Sequence, residues 1–391
     1  MPATAPFYLR AGAAKGEAPR EAAELSLMAL ADLERKASAG DARAQVSLAR
    51  TLDSQGRHSE AVDWLARAGQ AGDLEALTLL GLRLITGENA PLLPASGVGL
   101  LGDAAQAGGA DAAAHLAVLI GGGIHARQSW DGALDCLQRS AELGCGSSGR
   151  QLQILAGAEA GDGPDSWRRL RQAVDLDPWL RPAASEVLSD SPPVRSVRGL
   201  IPAQACAWVI EQSEARLAPA ELYDPVTGKP VPGTETRLNR IANFSLTDTC
   251  LLNILIQARM STAVGIPFHM MEPFAVLHYA VGEEYGEHVD YLDPAIPAYA
   301  REMQRSGQRV ATCLIYLNEG YEGGQTEFPQ LGVSFKGGRG DALIFFSADP
   351  ATGRPDPRAV HAGRTPTSGQ KWLLSQFFRN RPMVGAGVSQ R

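Results

Sequence analysis

A histidine and a carboxylate, His288 and Asp290, stand two residues apart at the end of LHYAVGEEYGEHVD (277–290). On an extended strand, side chains two positions apart leave the same face of the sheet. One neutral ring nitrogen and one anionic oxygen on one face make two adjacent corners of a metal polyhedron. A histidine from far along the chain would complete a two-histidine, one-carboxylate facial triad. Such a triad leaves three positions on Fe(II), enough for a chelating co-substrate and O2. The chain offers that histidine: His361 follows the polar loop DPATGRPDPRAV and precedes another strand-like run.

Ten residues beyond His361, Lys371 opens KWLLSQFF. A lysine aimed into a sheet interior is costly unless an anion meets it. A cation one strand from the metal suits the far carboxylate of a dicarboxylic keto acid whose near end chelates the iron. Tyr279 and Thr312 fall on neighbouring strands, and either one pointing inward would reach the same carboxylate. H-x-D alone is a weak signal that surface pairs also produce. The distal histidine and the following lysine give it weight. Zinc is the rival metal, but it is often held by cysteine, and no cysteine lies near this group in the sequence. His278 should face away from Tyr279, and His269 sits in a Pro/Met loop, so neither is assigned to the metal.

Holding these side chains takes a strand-rich scaffold, and the second half of the chain supplies one. Short β-like runs occur at 274–281, 308–318, 332–346 and 371–380, separated by Gly/Pro turns. This pattern predicts an antiparallel sandwich or jelly roll. Before them come an amphipathic helix over 203–217 and a second helix in LTDTCLLNILIQARMSTAVG, with Thr247 or Asp248 as its N-cap. Between the helices, residues 219–240 form a polar, turn-rich loop.

The first half reads differently. A phrase recurs as SAGDARA, QAGDLEA, QAGGADA and ELGCGSS, with its glycines Gly40, Gly72, Gly108 and Gly144 spaced 32, 36 and 36 residues apart. A glycine between two amphipathic helices at this period predicts a stacked helix-turn-helix solenoid. WLARAGQAGDLEALTLLGLRLITG resembles a Sel1-type repeat, a relative of the tetratricopeptide repeat. Trp167, Trp179 and several arginines continue the helical pattern as a cap, and SDSPPVR then breaks it. The expected organisation is a disordered 1–20, helical repeats over 21–190, a catalytic domain over 191–383 and a flexible tail at 384–391. The fold class is multidomain α + β.

Composition narrows the function further. With 391 residues and 45% apolar residues, two packed cores are expected. A net charge of −7 argues against nucleic acid as the main partner. Five widely spaced cysteines without C-x-x-C fit reduced thiols rather than a disulfide framework. No run of eighteen apolar residues and no apolar leader is visible, so no membrane association and a cytoplasmic location are expected.

The segment from about Val194 to Arg381 resembles the catalytic domain of prolyl 4-hydroxylases, which are 2-oxoglutarate- and Fe(II)-dependent dioxygenases. The matching phrases are HYAVGEEYGEHVDY, RVATCLIYLNEGYEGGQTEFP, FKGGRGDALIFF and VHAGRTPTSGQKW, in the family's order and spacing. The resemblance implies a double-stranded β-helix with Fe(II) held by His288, Asp290 and His361. It implies 2-oxoglutarate bound by Lys371 with Tyr279 and Thr312, O2 as oxidant, and ascorbate as reductant. Where the family often shows Arg-x-Ser, this chain has Arg237-Leu-Asn239; Arg237 and Tyr291 are candidate substrate contacts. The expected reaction hydroxylates a prolyl residue of a peptide or protein, which the helical repeats would help select. Two other functions stay open: hydroxylation of a free amino acid or small metabolite, and a non-enzymatic Sel1-type scaffold whose second domain senses iron or 2-oxoglutarate.

Overall fold

The structure is a computed structural model that describes residues 30–161, 165–223, 230–232 and 237–383. The expected disorder of 1–20 and the expected flexible tail lie outside the described residues, as does part of the 219–240 loop. The chain divides into two compact units between Val174 and Asp175.

In the first unit, helix pairs repeat. After a helical segment at 30–38 come α1 (Ala42–Ser54), α2 (His58–Gln70), α3 (Leu74–Thr86) and α4 (Pro94–Gln106). The array continues with α5 (Ala110–Gly122), α6 (Trp130–Glu142), α7 (Gly146–Ala156) and α8 (Ser166–Ala173). The four repeat glycines all have left-handed backbones, with φ between +87° and +100°. Each ends the first helix of a pair, where a side chain would be strained. Asp41 and Asp73 then cap the next helices by accepting from the amides of Ala44 and Ala76. The small residues bring helices close: a Cβ on Gly97 of α4 would stand 2.5 Å from the Gly81 carbonyl oxygen of α3. The core includes Leu48, Leu52, Leu65, Ala68 and Ala76, all buried.

The second unit is a two-sheet sandwich. Its strands are β1 (Glu186–Asp190), β2 (Pro193–Val197), β3 (Ala218–Pro219), β4 (Arg240–Asn243), β5 (Ala275–Tyr279) and β6 (Tyr285–His288). Then follow β7 (Arg309–Tyr316), β8 (Thr326–Phe328), β9 (Val333–Phe335), β10 (Ala342–Phe346), β11 (His361–Gly363) and β12 (Lys371–Arg379). The eight-stranded sheet runs β1-β2-β10-β7-β12-β5-β4-β3, and the four-stranded sheet runs β9-β8-β11-β6. Their facing side chains, including Leu277, Tyr279, Leu314, Tyr316, Phe328, Phe335, Phe345 and Leu373, form one core. Helices α9 (Asp177–Leu180), α10 (Ala203–Glu214), α11 (Leu251–Val264) and α12 (Pro297–Ser306) complete the unit. Helix α11 lies behind the larger sheet, where Gln257 Nε2 donates to Gln376 Oε1 at 3.0 Å.

Several expectations are corrected here. SDSPPVR does not separate the units. Its prolines close the β1–β2 hairpin, and β2 pairs with β10 inside the sheet. Trp179 does not cap the array; it is buried in the second unit, on α9 beside α11. The run 332–346 is two strands in different sheets, because Gly337, Gly338 and Gly340 turn the chain between them. Neither Thr247 nor Asp248 caps α11, whose N-cap is Cys250; Asp248 instead returns to Ser245 in a capping box on the preceding 3-10 turn Leu246–Asp248.

Candidate metal centre

His288 ends β6 and His361 opens β11, and the two are direct cross-strand partners. Their ring centroids lie 4.2 Å apart. Asp290 falls two residues past the end of β6, so it does not share the strand as the H-x-D spacing suggested. Its carboxylate nevertheless reaches both rings: Oδ1 is 3.6 Å from His288 Nε2 and Oδ2 is 3.7 Å from His361 Nε2. One ligand atom from each residue lies within 4.8 Å of the others.

Backbone carbonyls fix the ring orientation. His288 Nδ1 donates to Gly286 O at 2.8 Å, and His361 Nδ1 donates to Ala359 O at 3.1 Å. With the proton on Nδ1, each Nε2 lone pair faces Asp290, which is the arrangement a metal needs. Burial, and then the neighbouring His361, pull His288 down to about 3, so its ring is neutral. Burial pushes Asp290 up, but His361, His288 and the Thr312 hydroxyl outweigh it and hold the carboxyl below its usual range. Two imidazole nitrogens and an ionised carboxylate form a donor set that fits Fe(II).

Lys371 begins β12 directly across from Tyr279 on β5. It is fully buried, and its Nζ has no hydrogen-bond partner among the described residues. Aromatic rings flank it, with Nζ 5.0 Å from the Tyr279 ring centroid and 5.6 Å from that of Tyr316. Burial alone pulls its amine down to about 7. An orphaned buried ammonium in the same sandwich as the ligand group fits the far carboxylate of a bound dicarboxylate.

Thr312 has a different partner from the one expected of it. Its hydroxyl donates to Asp290 Oδ2 at 2.6 Å, so it braces a ligand candidate. Arg237 lies near the centre, its guanidinium 4.5 Å from the Tyr285 ring, while Tyr285 stacks on His288 at 3.5 Å. Tyr291 is half-buried, with Asp293 and Asp356 as charged neighbours. His278 faces the other way, as expected: Nε2 meets Gln370 Oε1 at 3.0 Å and the ring packs edge-on against Trp372.

Tyr285 was not foreseen from the sequence. Three residues before His288, strand alternation would put it on the opposite face. The β6–β11 pairing shifts between His361 and Gly363, and this irregularity brings Tyr285 over the His288 ring.

The family model described as 2OG-Fe(II) oxygenase superfamily matches residues 274–379. The chain is 37% identical over 117 residues to a putative prolyl 4-hydroxylase of Acanthamoeba polyphaga mimivirus, a match spanning 30% of this chain and 48% of that protein. It is 30% identical over 212 residues to prolyl 4-hydroxylase 1 of Arabidopsis thaliana, spanning 50% of this chain and 72% of the relative. Among solved structures, it is similar to the viral collagen prolyl hydroxylase of Paramecium Bursaria Chlorella virus-1 in its 2OG complex. That likeness has 24% identity, 48% and 95% coverage of the two chains, and a TM-score of 0.37. It is also similar to a Sel1 repeat protein from Oxalobacter formigenes, with 22% identity, 38% and 61% coverage, and a TM-score of 0.31. With its matched catalytic segment and its length-wise agreement with the Arabidopsis enzyme, the chain belongs to the prolyl 4-hydroxylase family of 2-oxoglutarate/Fe(II) oxygenases.

Proposed function

We propose that this protein hydroxylates a prolyl residue of a peptide or protein, with His288, Asp290 and His361 holding Fe(II) and Lys371 holding the far carboxylate of 2-oxoglutarate. The observation that carries it is the unpaired, fully buried Lys371 ammonium in the same sandwich as the His-Asp-His group. Together, Fe(II), 2-oxoglutarate and O2 supply the oxidation that places a hydroxyl on an unactivated C–H bond and releases succinate and CO2, with ascorbate as the reductant.

The chain's own residues prepare that chemistry. The Gly286 and Ala359 carbonyls hold both Nε2 lone pairs toward one point. Thr312 fixes the carboxylate between them. Phe328 and Phe345 pack against His361 and keep water from its far side, with ring centroids 5.3 and 4.5 Å away. Arg237, stacked over Tyr285, and Tyr291, which follows Asp290, are the substrate contacts. The helical unit, a separate compact body of stacked pairs, is a binding surface of the kind repeat arrays present to protein partners. Five free cysteines support a cytoplasmic setting. Among the described residues, no helix is long and apolar enough to cross a membrane.

The test is mass spectrometry of reactions with Fe(II), ascorbate and 2-oxoglutarate, offered proline-containing peptides and, separately, free proline and other amino acids. One added oxygen on a peptide proline, matched by succinate, is the expected result. Oxygen added only to free proline would overturn the peptide assignment, and no succinate under any condition would overturn the oxygenase itself.

A further inference from the structure

We propose that the Tyr321 hydroxyl is a second donor to the far carboxylate of 2-oxoglutarate, acting beside the Lys371 ammonium. This rests on the assignment of Lys371 made above. Two buried polar atoms lack partners among the described residues: Lys371 Nζ and Tyr321 Oη. Tyr321 is only 2% exposed, and no described residue offers its hydroxyl a hydrogen bond. Buried hydroxyls rarely go unpaired, so an orphan calls for a ligand or a cost.

The two orphans are neighbours. Gly324 separates their side chains. A Cβ placed there would meet Tyr321 Cε2 at 2.9 Å and Lys371 Cδ at 3.3 Å. Each polar atom lies two bonds beyond the carbon named. A carboxylate has about four acceptor sites, each reached over about 2.8 Å. It therefore bridges two donors that do not touch each other.

Two other nearby hydroxyls, those of Thr312 and Tyr316, are already engaged. Thr312 donates to Asp290. Tyr316 Oη donates to the Phe335 carbonyl at 3.1 Å and lies 2.9 Å from Thr326 Oγ1. The Tyr321 ring is held from another direction by Lys336, whose ammonium donates to the Tyr321 carbonyl oxygen at 2.6 Å and sits 4.7 Å from the ring centroid. Its position is thus set by the protein, while its hydroxyl is left for a ligand.

The test compares wild type, Tyr321→Phe and Lys371→Met as full chains loaded with Mn(II) without oxygen. Calorimetry measures 2-oxoglutarate and, separately, pyruvate, which lacks the far carboxylate. Thermal melts follow the ligand-free proteins. Tyr321→Phe is expected to weaken 2-oxoglutarate about tenfold, to leave pyruvate unchanged, and to melt at or above the wild-type temperature because it removes an unpaired hydroxyl. Wild-type affinity in Tyr321→Phe, with Lys371→Met weakened, would overturn the Tyr321 role alone. Equal losses for both ligands, or a lower melting temperature, would make the hydroxyl structural and overturn it as well. Wild-type 2-oxoglutarate affinity in Lys371→Met would overturn the Lys371 assignment and this role with it.

Discussion

At the scale of single residues, two side chains make opposite demands on the ligand-free protein. Lys371 is a buried cation without an anion, and its amine falls to about 7 from an ordinary 10.5. In the unfolded chain it stays protonated up to the ordinary value, so folding releases a proton between those two pH values. Stability of the ligand-free protein should therefore rise with pH across that window and be lowest, and flat, below it. 2-Oxoglutarate restores the charged amine, so binding above pH 7 should take up a proton and weaken as pH rises. Calorimetry in buffers of different ionisation enthalpy reads that proton directly; a heat independent of buffer at pH 8 would sink the idea. Thr312 makes the other demand. Its hydroxyl holds Asp290, so Thr312→Val should weaken metal binding by about tenfold or more while leaving the 2-oxoglutarate KM of fully loaded enzyme near wild type. The reverse pattern would return Thr312 to the co-substrate role its strand position had suggested. The residue types and order of the metal site were legible in the sequence, because H-x-D, a distal histidine and a following lysine are local spacings. Thr312's true partner was not, because it depends on how far Asp290 reaches after its strand has ended.

At the scale of elements, alternation and turn residues gave the strands, but not their assignment to sheets. One predicted strand divides between the two sheets at Gly337–Gly340, and a pairing irregularity turns Tyr285 onto His288. Neither feature is periodic, so neither shows in a pattern of alternating residues. The same limit hid the ion cluster that ties α12 to the sheet. Glu272 accepts from Arg309 Nε at 2.7 Å and from Arg379, while Arg379 also reaches the Gly307 carbonyl and Glu302. Burial pushes Glu272 up, yet the two guanidiniums outweigh it and keep it ionised. Glu272→Gln would leave the buried Arg379 and the half-buried Arg309 short of their anion and should cost about 3–5 kcal/mol in chemical denaturation. Glu302 is half-exposed, so Glu302→Gln should cost at most about 1 kcal/mol. Equal losses for the two variants would show that burial does not set their contributions.

At the scale of the whole molecule, the question is where one folding unit stops and the next begins. Consecutive prolines suggested a linker after residue 190, but they serve as a hairpin turn, and β1 completes the edge of the catalytic sheet. The two sides of that hairpin pair only in three dimensions, so composition alone favoured the wrong reading of the prolines. A fragment beginning at Asp175 keeps Trp179 against α11 and keeps β1 on β2. It should fold, form succinate, and hydroxylate short prolyl peptides at the rate of the full chain. A fragment beginning at 191 loses the buried Trp179, worth about 3–5 kcal/mol by analogy with core Trp→Ala changes. It also exposes the edge of β2, an invitation to aggregate. Denaturation of the two fragments checks the boundary, and equal midpoints would move it back to the prolines. If the helical unit recruits a protein substrate, the fragment from Asp175 should show a raised KM for that protein and an unchanged KM for its short prolyl peptide. A single KM shift shared by both substrates would instead place the loss in the catalytic unit.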